Sequence, residues 1–136
     1  MKFYKTKAKK IPGTSFSEVN KGAQRIFKNI KRQSKRNPYV KSVYFRKEKV
    51  FFNIFWSHLY EKQNLNDKTR RLKYFACAVE LIQKTTHEPE QRKPLEDKNV
   101  VLYRFAGATN NNELFFVQIK EDLKTKKKYF ISVFPE

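Results

Sequence analysis

The apolar residues of this chain change period along its length, and that change limits the fold more than any other feature. Phe16, Val19, Ala23, Ile26, Phe27 and Ile30 recur at helical spacing, which at ~100° per residue gathers them on one side of a helix. From Val100 onward the pattern alternates instead: Val100–Ala106, Leu114–Glu121 and Lys127–Phe134 each read as strands. Gly107–Asn112 and Asp122–Lys126 supply the loops between them. A chain that is helical first and then runs through successive strands predicts an α+β fold. In it, N-terminal helices pack on one face of a small antiparallel β-meander.

At 136 residues the chain has room for one domain, 1–136, and no second core of useful size. Residues 1–15 form a basic arm with a turn signal at Ile11-Pro12-Gly13, and Thr14, Ser15 and Ser17 are candidate caps for a basic helix over 16–36. Asn37-Pro38 ends it. The segment 37–86 carries a strand over 40–46, a helix over 52–62 in a run where Val50-Phe51-Phe52 could instead extend a strand, and a helix opening at Asn66-Asp67. The core positions of that last helix are Leu72, Phe75, Ala76, Val79 and Ile82. Residues 87–98, with Pro89, Pro94 and many charges, read as an exposed linker before the sheet of 99–136.

Alternation assigns faces within the sheet. Val101, Tyr103 and Phe105 share one face with Phe115, Val117 and Ile119, and with Tyr129, Ile131 and Val133. That face is the one the helices should cover. The other face mixes Leu102, Arg104, Phe116, Gln118, Lys120, Phe130, Ser132 and Phe134. Pairing like faces predicts a row Arg104–Phe116–Ser132, with Arg104 and Ser132 ~10 Å apart across two strand spacings. The next row is Leu102–Gln118–Phe130, and Lys120 faces Lys128 beyond it.

Charge limits the partner. Lys and Arg total 31 against 13 Asp and Glu, a net of +18. Residues 1–49 hold 16 cations and two acids, net +14. On the 16–36 helix, Lys21, Arg25, Lys28, Arg32, Lys35 and Arg36 fall opposite the apolar stripe. A face of six cations without acidic partners is costly through self-repulsion unless a polyanion neutralises it. Phosphate contacts do so and release counterions. The expected partner is therefore nucleic acid, RNA before DNA. No signal peptide, lipidation motif or long apolar run supports a membrane. A single cysteine, Cys77, leaves no intramolecular disulfide or multi-Cys zinc site and fits the cytoplasm. Cys77 itself reads as a small core filler.

The chemistry-bearing residues allow two readings. The mixed sheet face, with Phe116 and Gln118 beside cations, is either an RNA platform on which rings stack on bases, or a sheet buried on both sides. His58 is either a general base for a ribose 2′-hydroxyl or a partly buried histidine satisfied by a carbonyl. His87 lies in the charged linker and reads as incidental. Of Arg70 and Arg71, which point to different sides, at most one joins a given site. Scattered acids, three glycines and no Cys/His spacing argue against Mg²⁺, zinc or nucleotide-loop chemistry. No metal and no cofactor are expected. If the chain cuts nucleic acid, it should cut RNA without metal. His58 would take the proton, Arg104 and Lys120 would stabilise the charged phosphorane, and Ser132 would position a phosphate oxygen.

Several segments also resemble a family: Val43–Arg46, Phe55–His58, Arg70–Phe75, Leu102–Phe105, Phe116–Glu121 and Lys128–Pro135. In these pieces the chain is similar to the phage-associated branch of the barnase–EndoU–colicin–RelE (BECR) ribonucleases, with Phe116–Pro135 the most specific part. The resemblance leaves residues 1–40 uncovered. It implies a metal-independent ribonuclease with helices followed by a small antiparallel sheet, often a toxin in bacterial or phage conflict. By position it implies His58, Arg104, Lys120 and Ser132 as active residues, with Arg71 a further candidate. An acidic antitoxin or immunity protein is a natural partner for such a surface. The rival readings are a non-enzymatic RNA- or DNA-binding protein and a module that docks on an acidic protein. Convergence of His58, Arg104 and Ser132 in one cleft discriminates between enzyme and binder.

Overall fold

The computed structural model describes residues 2–136. Strand β1 (Tyr4–Lys5) lies in the basic arm, and helix α1 spans Phe16–Gln33. Ser15 caps α1 by accepting a hydrogen bond from the Glu18 amide at 3.2 Å. Glu18 sits in the first turn and Lys31 and Arg32 in the last, each at the helix end that favours its charge. Val19, Ala23, Phe27 and Ile30 form its buried face. The helix stops three residues short of expectation. The Ser34 hydroxyl donates to the Ile30 carbonyl at 2.6 Å and accepts from the Tyr39 amide at 3.0 Å, turning the chain toward the sheet. Lys35 and Arg36 therefore lie beyond the helix, Arg36 in the left-handed region at φ 68°.

The single strand expected over 40–46 is instead a hairpin of β2 (Tyr39–Ser42) and β3 (Glu48–Phe51). Burial of Phe45 against Tyr103, ring centroids 5.0 Å apart, pulls the chain inward between them. Arg46 and Lys47 adopt positive φ, and the Lys47 amide closes the loop onto the Ser42 carbonyl at 2.7 Å. Helix α2 (Asn53–Glu61) follows directly. The helix expected from Asn66 divides into α3 (Leu65–Leu72), capped by Asn64, and α4 (Phe75–Lys84). The break falls at Lys73-Tyr74, where Tyr74 is buried with its ring 5.4 Å from that of Phe115. Leu72, Phe75, Val79 and Ile82 are buried as expected, while Ala76 is only half-buried.

Strands β4 (Glu90–Arg92), β5 (Val100–Ala108), β6 (Leu114–Asp122) and β7 (Lys128–Pro135) complete the chain. The segment read as a linker thus contributes an exposed strand, β4, antiparallel to the first half of β5. Among the described residues the strands form one sheet in the order β1-β5-β6-β7-β3-β2, with β4 beside β1 on the edge of β5. β5, β6 and β7 are successive antiparallel strands, but β1 runs parallel to β5 and β3 parallel to β7. The sheet is therefore mixed, not the simple antiparallel meander expected, because the arm and the β2–β3 hairpin add to its two edges. At one close approach, a Cβ on Gly107 would lie 2.7 Å from Leu81 Cδ1, so this position lets α4 sit directly on β5.

The face assignments hold for β5 and β6 and fail for half of β7. A bulge between Gln118 and Ile119 on β6 leaves Ile131 as an extra residue on β7. Phe130 consequently faces the core and is fully buried, while Tyr129 and Ile131 are half-buried. Phe130 stacks on Phe55 of α2 with centroids 4.5 Å apart and planes within 8°. Phe52 and Phe75 pack around the pair. Aromatic pairs of this kind add ~0.5–1.5 kcal/mol beyond simple burial, so Phe130 gains more inside than Tyr129 or Ile131 would.

The rows on the other face also differ from expectation, because β5 and β6 pair two residues out of the expected register and the bulge shifts β7 against β6. The observed rows are Arg104–Gln118–Ser132, Ala106–Phe116–Phe134 and Leu102–Lys120–Tyr129. Arg104 and Ser132 do share a row, but Gln118 stands between them in place of Phe116. Lys120 faces Tyr129, not Lys128. Lys128 is instead buried on the core side, 2.6 Å from Glu48 and 3.6 Å from Glu121. Among the described residues no helix is long and apolar enough to cross a membrane.

Candidate nucleic-acid interface

The sheet face turned away from the core carries the predicted site. Arg104 is exposed, and Leu102, Phe116, Gln118, Lys120, Tyr129, Ser132 and Phe134 are half-buried. The face is thus not buried under a second layer.

Phe134 is the centre of a cationic clamp. The Arg104 guanidinium lies 5.5 Å from its ring centroid and 5.8 Å from that of Phe116. Arg71 approaches the same Phe134 ring from α3 at 5.6 Å. Each such contact contributes ~0.5–1 kcal/mol at an exposed site, and together they hold two guanidinium groups over adjacent strands. The Arg71 Nε donates to Asp67 Oδ2 at 2.9 Å, and Arg70 donates to the other carboxylate oxygen at 3.2 Å. Burial pushes the Asp67 carboxyl up, but the hydrogen bonds and charges of Arg70 and Arg71 outweigh it and hold the group below its ordinary value. Asp67 therefore stays ionised and fixes Arg71 near the ring.

Ser132 links this clamp to α2. Its hydroxyl donates to Gln118 Oε1 at 3.2 Å, within the row that contains Arg104. Ser132 also lines a small depression with His58, Lys62 and Arg71, floored by Phe55, Leu59, Ile131 and Val133. β3 pairs with β7 only at Lys128-Tyr129. Farther along, α2 packs beside β7 and brings His58 to the sheet edge where Ser132 lies. His58 is exposed, and its imidazole has no hydrogen-bond partner among the described residues.

The structure thus gathers His58, Arg71 and Ser132 at one depression and joins Arg104 to them through Gln118 and Phe134. Lys120 sits one row away, opposite Leu102 and Tyr129. Phe116 lies beneath Arg104 in the row that ends at Phe134. The α1 cations stand apart. Lys21, Arg25, Lys28 and Arg32 are exposed on a helix that packs against α3, α4 and β2. With Lys35 and Arg36, they have no carboxylate partner among the described residues. Cys77 is fully buried, donates to the Ala8 carbonyl at 3.4 Å, and has its thiol pushed up by burial. It is inert packing.

Sequence reasoning placed Phe134 on the right face without seeing that it organises two arginines, and it missed Asp67 and Lys62 as neighbours of the site. Asp67 stands three and four residues before Arg70 and Arg71, a spacing that marks helix-surface ion pairs. No comparable signal exists for Lys62 or for the joining of α2 to β7. Among the described residues no group of three His, Cys, Asp or Glu side chains could hold a metal ion. Comparison with protein-family models, with curated proteins and with solved structures finds no match for this chain.

Proposed function

We propose that this chain is a metal-independent ribonuclease that acts on single-stranded RNA in the cytoplasm. The observation that carries the reading is that His58, Arg71 and Ser132 line one depression beside the Arg104–Phe134 clamp. In the proposed step His58 takes the proton of a ribose 2′-hydroxyl, whose oxygen forms a bond to the adjacent phosphorus. The bond from phosphorus to the 5′ oxygen breaks, and that oxygen takes a proton from a water that the His58 imidazolium reprotonates, which returns His58 to its neutral form. The products are a 2′,3′-cyclic phosphate and a 5′-hydroxyl. Arg71 and Arg104 stabilise the charge that builds on the phosphorane, and Ser132 positions a phosphate oxygen. Lys120 holds a neighbouring phosphate. The stripe of Lys21, Arg25, Lys28 and Arg32, with Lys35 and Arg36 after it, attracts RNA from a distance.

A BECR-like fold and a role as a toxin belong to the same proposal, with an acidic antitoxin as neutralising partner for a chain of net charge +18. Support for these comes from the sequence resemblance and the surface charge. A second reading, a non-enzymatic RNA-binding protein, is favoured by one observation: no hydrogen bond orients the His58 ring, as a well-placed general base would need.

The deciding experiment is incubation of purified protein with RNA in excess EDTA, wild type beside His58→Ala. Cleavage to cyclic phosphate ends that is lost in the variant is the expected result. Cleavage equal in both proteins removes His58 from the mechanism. Tight binding with no cleavage overturns the enzyme reading in favour of the second.

A further inference from the structure

An aromatic row leads away from the site across β7 to β3 and β2, two strands that the reading above leaves unused. Tyr39 on β2 pairs in register with Phe51 on β3, and Phe51 with Tyr129 on β7. The ring centroids are 6.0 Å apart in both steps. Tyr129 continues the Lys120 row, so all three rings lie on the same open face as Arg104 and Ser132. Each is half-buried. A row of this kind has an ordinary role, since cross-strand aromatic pairs stabilise sheets.

The charges around the row point beyond that role. Lys41 stands directly opposite Lys49 in the β2–β3 pair, on the same face two residues along from Tyr39 and Phe51. Like charges opposite one another destabilise a sheet. Neither lysine has a carboxylate partner among the described residues. Instead Lys49 Nζ lies 4.6 Å from the Tyr39 ring centroid, at the edge of the aromatic row. Glu48, the one acid of this hairpin, points to the other face and is bound to Lys128 at 2.6 Å. The hairpin's acid is therefore paired on the other face, and its cations are left beside the rings.

We propose that Tyr39, Phe51 and Tyr129 are base-stacking subsites for a single strand of RNA that runs from the His58–Ser132 depression to the β2 edge, with Lys41, Lys49 and Lys120 on its phosphates. The rings select the strand state. In a duplex each base is stacked between its neighbours and offers no free face. Rings 6.0 Å apart can each take a base only from an unpaired strand whose bases are unstacked. Each ring then takes the place of a neighbouring base. The proposal rests on RNA being the partner, not on its being cut.

The test measures binding of a fluorescent single-stranded RNA octamer, and of duplex RNA of the same length, in a His58→Ala background that prevents turnover. Phe51→Leu and Tyr129→Leu keep apolar volume in the strands but remove the rings. Each is expected to weaken single-strand binding about 5-fold to 150-fold, the range for loss of one base–aromatic stack, and to erode the preference for single strand over duplex. Lys41→Gln with Lys49→Gln should lower the salt slope of binding by about 1.4, near 0.7 for each phosphate contact. The same pair should raise the Tm of the free protein by removing the opposed charges. Ring variants that bind within twofold of the parent overturn the proposal, as does a lysine pair that lowers Tm and leaves the salt slope unchanged. Ring-dependent binding by a wild type that cuts nothing sustains the subsites while the ribonuclease reading fails. Cleavage by the wild type with ring-independent binding does the reverse.

Discussion

Arg104 sets its guanidinium 5.5 Å from the ring centroid of Phe134, and through that contact β5 and β7 share one cationic surface although β6 lies between them. Arg71 meets the same ring from α3. A single phenylalanine therefore orders two of the groups assigned to a phosphate.

Phe134→Leu separates that role from packing. Phe134 is only half-buried, so the loss of two exposed cation–π contacts should cost about 1–2 kcal/mol in urea unfolding. RNA affinity should fall by a larger factor than stability implies, because both arginines lose their common support. Unchanged RNA affinity in the variant would show that the clamp has no part in binding.

Lys128 offers a test of the core. Its side chain is 6% exposed and lies between Glu48, at 58%, and Glu121, at 14%. Tyr103 also donates to Glu121 at 2.6 Å. Lys128→Met keeps the stem but strands the Glu121 carboxylate, at an expected cost of ~3 kcal/mol. Adding Glu121→Gln removes the stranded charge and should recover at least half of the loss. Denaturant melts of the two variants and their double mutant give the coupling directly. Additive losses would mean that Lys128 and Glu121 do not interact.

The N-terminal arm should respond to acid. Glu80 on α4 accepts from the Lys7 and Ala8 amides at 2.9 and 2.8 Å and from the Tyr4 hydroxyl at 2.7 Å. Burial pushes its carboxyl up, but the Lys7, Tyr4 and Ala8 hydrogen bonds and the Lys84 charge outweigh this and hold it below the ordinary 4.5. Tyr4 is correspondingly raised to about 12, by burial first and then by Glu80. A lowered folded value means that the stabilisation is complete above 4.5 and is lost as pH falls through the folded value. Hydrogen exchange, corrected for intrinsic rate, should show the Lys7 and Ala8 amides protected at neutral pH and freed in strong acid. Glu80→Gln should flatten most of that dependence. Equal protection of wild type at both ends of the range would refute the arm's dependence on this carboxylate.

Local signals in the chain were enough for the elements that obey one period. The stripe Val19, Ala23, Phe27, Ile30 faces inward as its spacing requires, and the alternation of β5 and β6 delivers Arg104 and Gln118 to the open face. The placement of Arg104 and Ser132 in one row was legible as well. The helix end at Gln33 was not, because Ser34 bonds to Tyr39, a partner that only the turn brings close.

What lay outside the sequence was everything decided by competition between distant groups. Alternation puts Tyr129 and Ile131 inward, but the Phe55 ring of α2 gains more from stacking on Phe130, and one bulged residue on β7 accommodates that preference. The β5–β6 register, two residues from the expected one, puts Gln118 beside Arg104, and the bulge sends Tyr129 to the open face. His58 meets Ser132 only because β3 leaves the rest of the β7 edge to α2. Composition and periodicity carry the charge, the helix faces and the inward and outward faces of β5 and β6, since each depends on neighbours within a few residues. The register of β7 and the assembly of the site depend on contacts between residues some seventy positions apart, and those energies exist only once the core has closed.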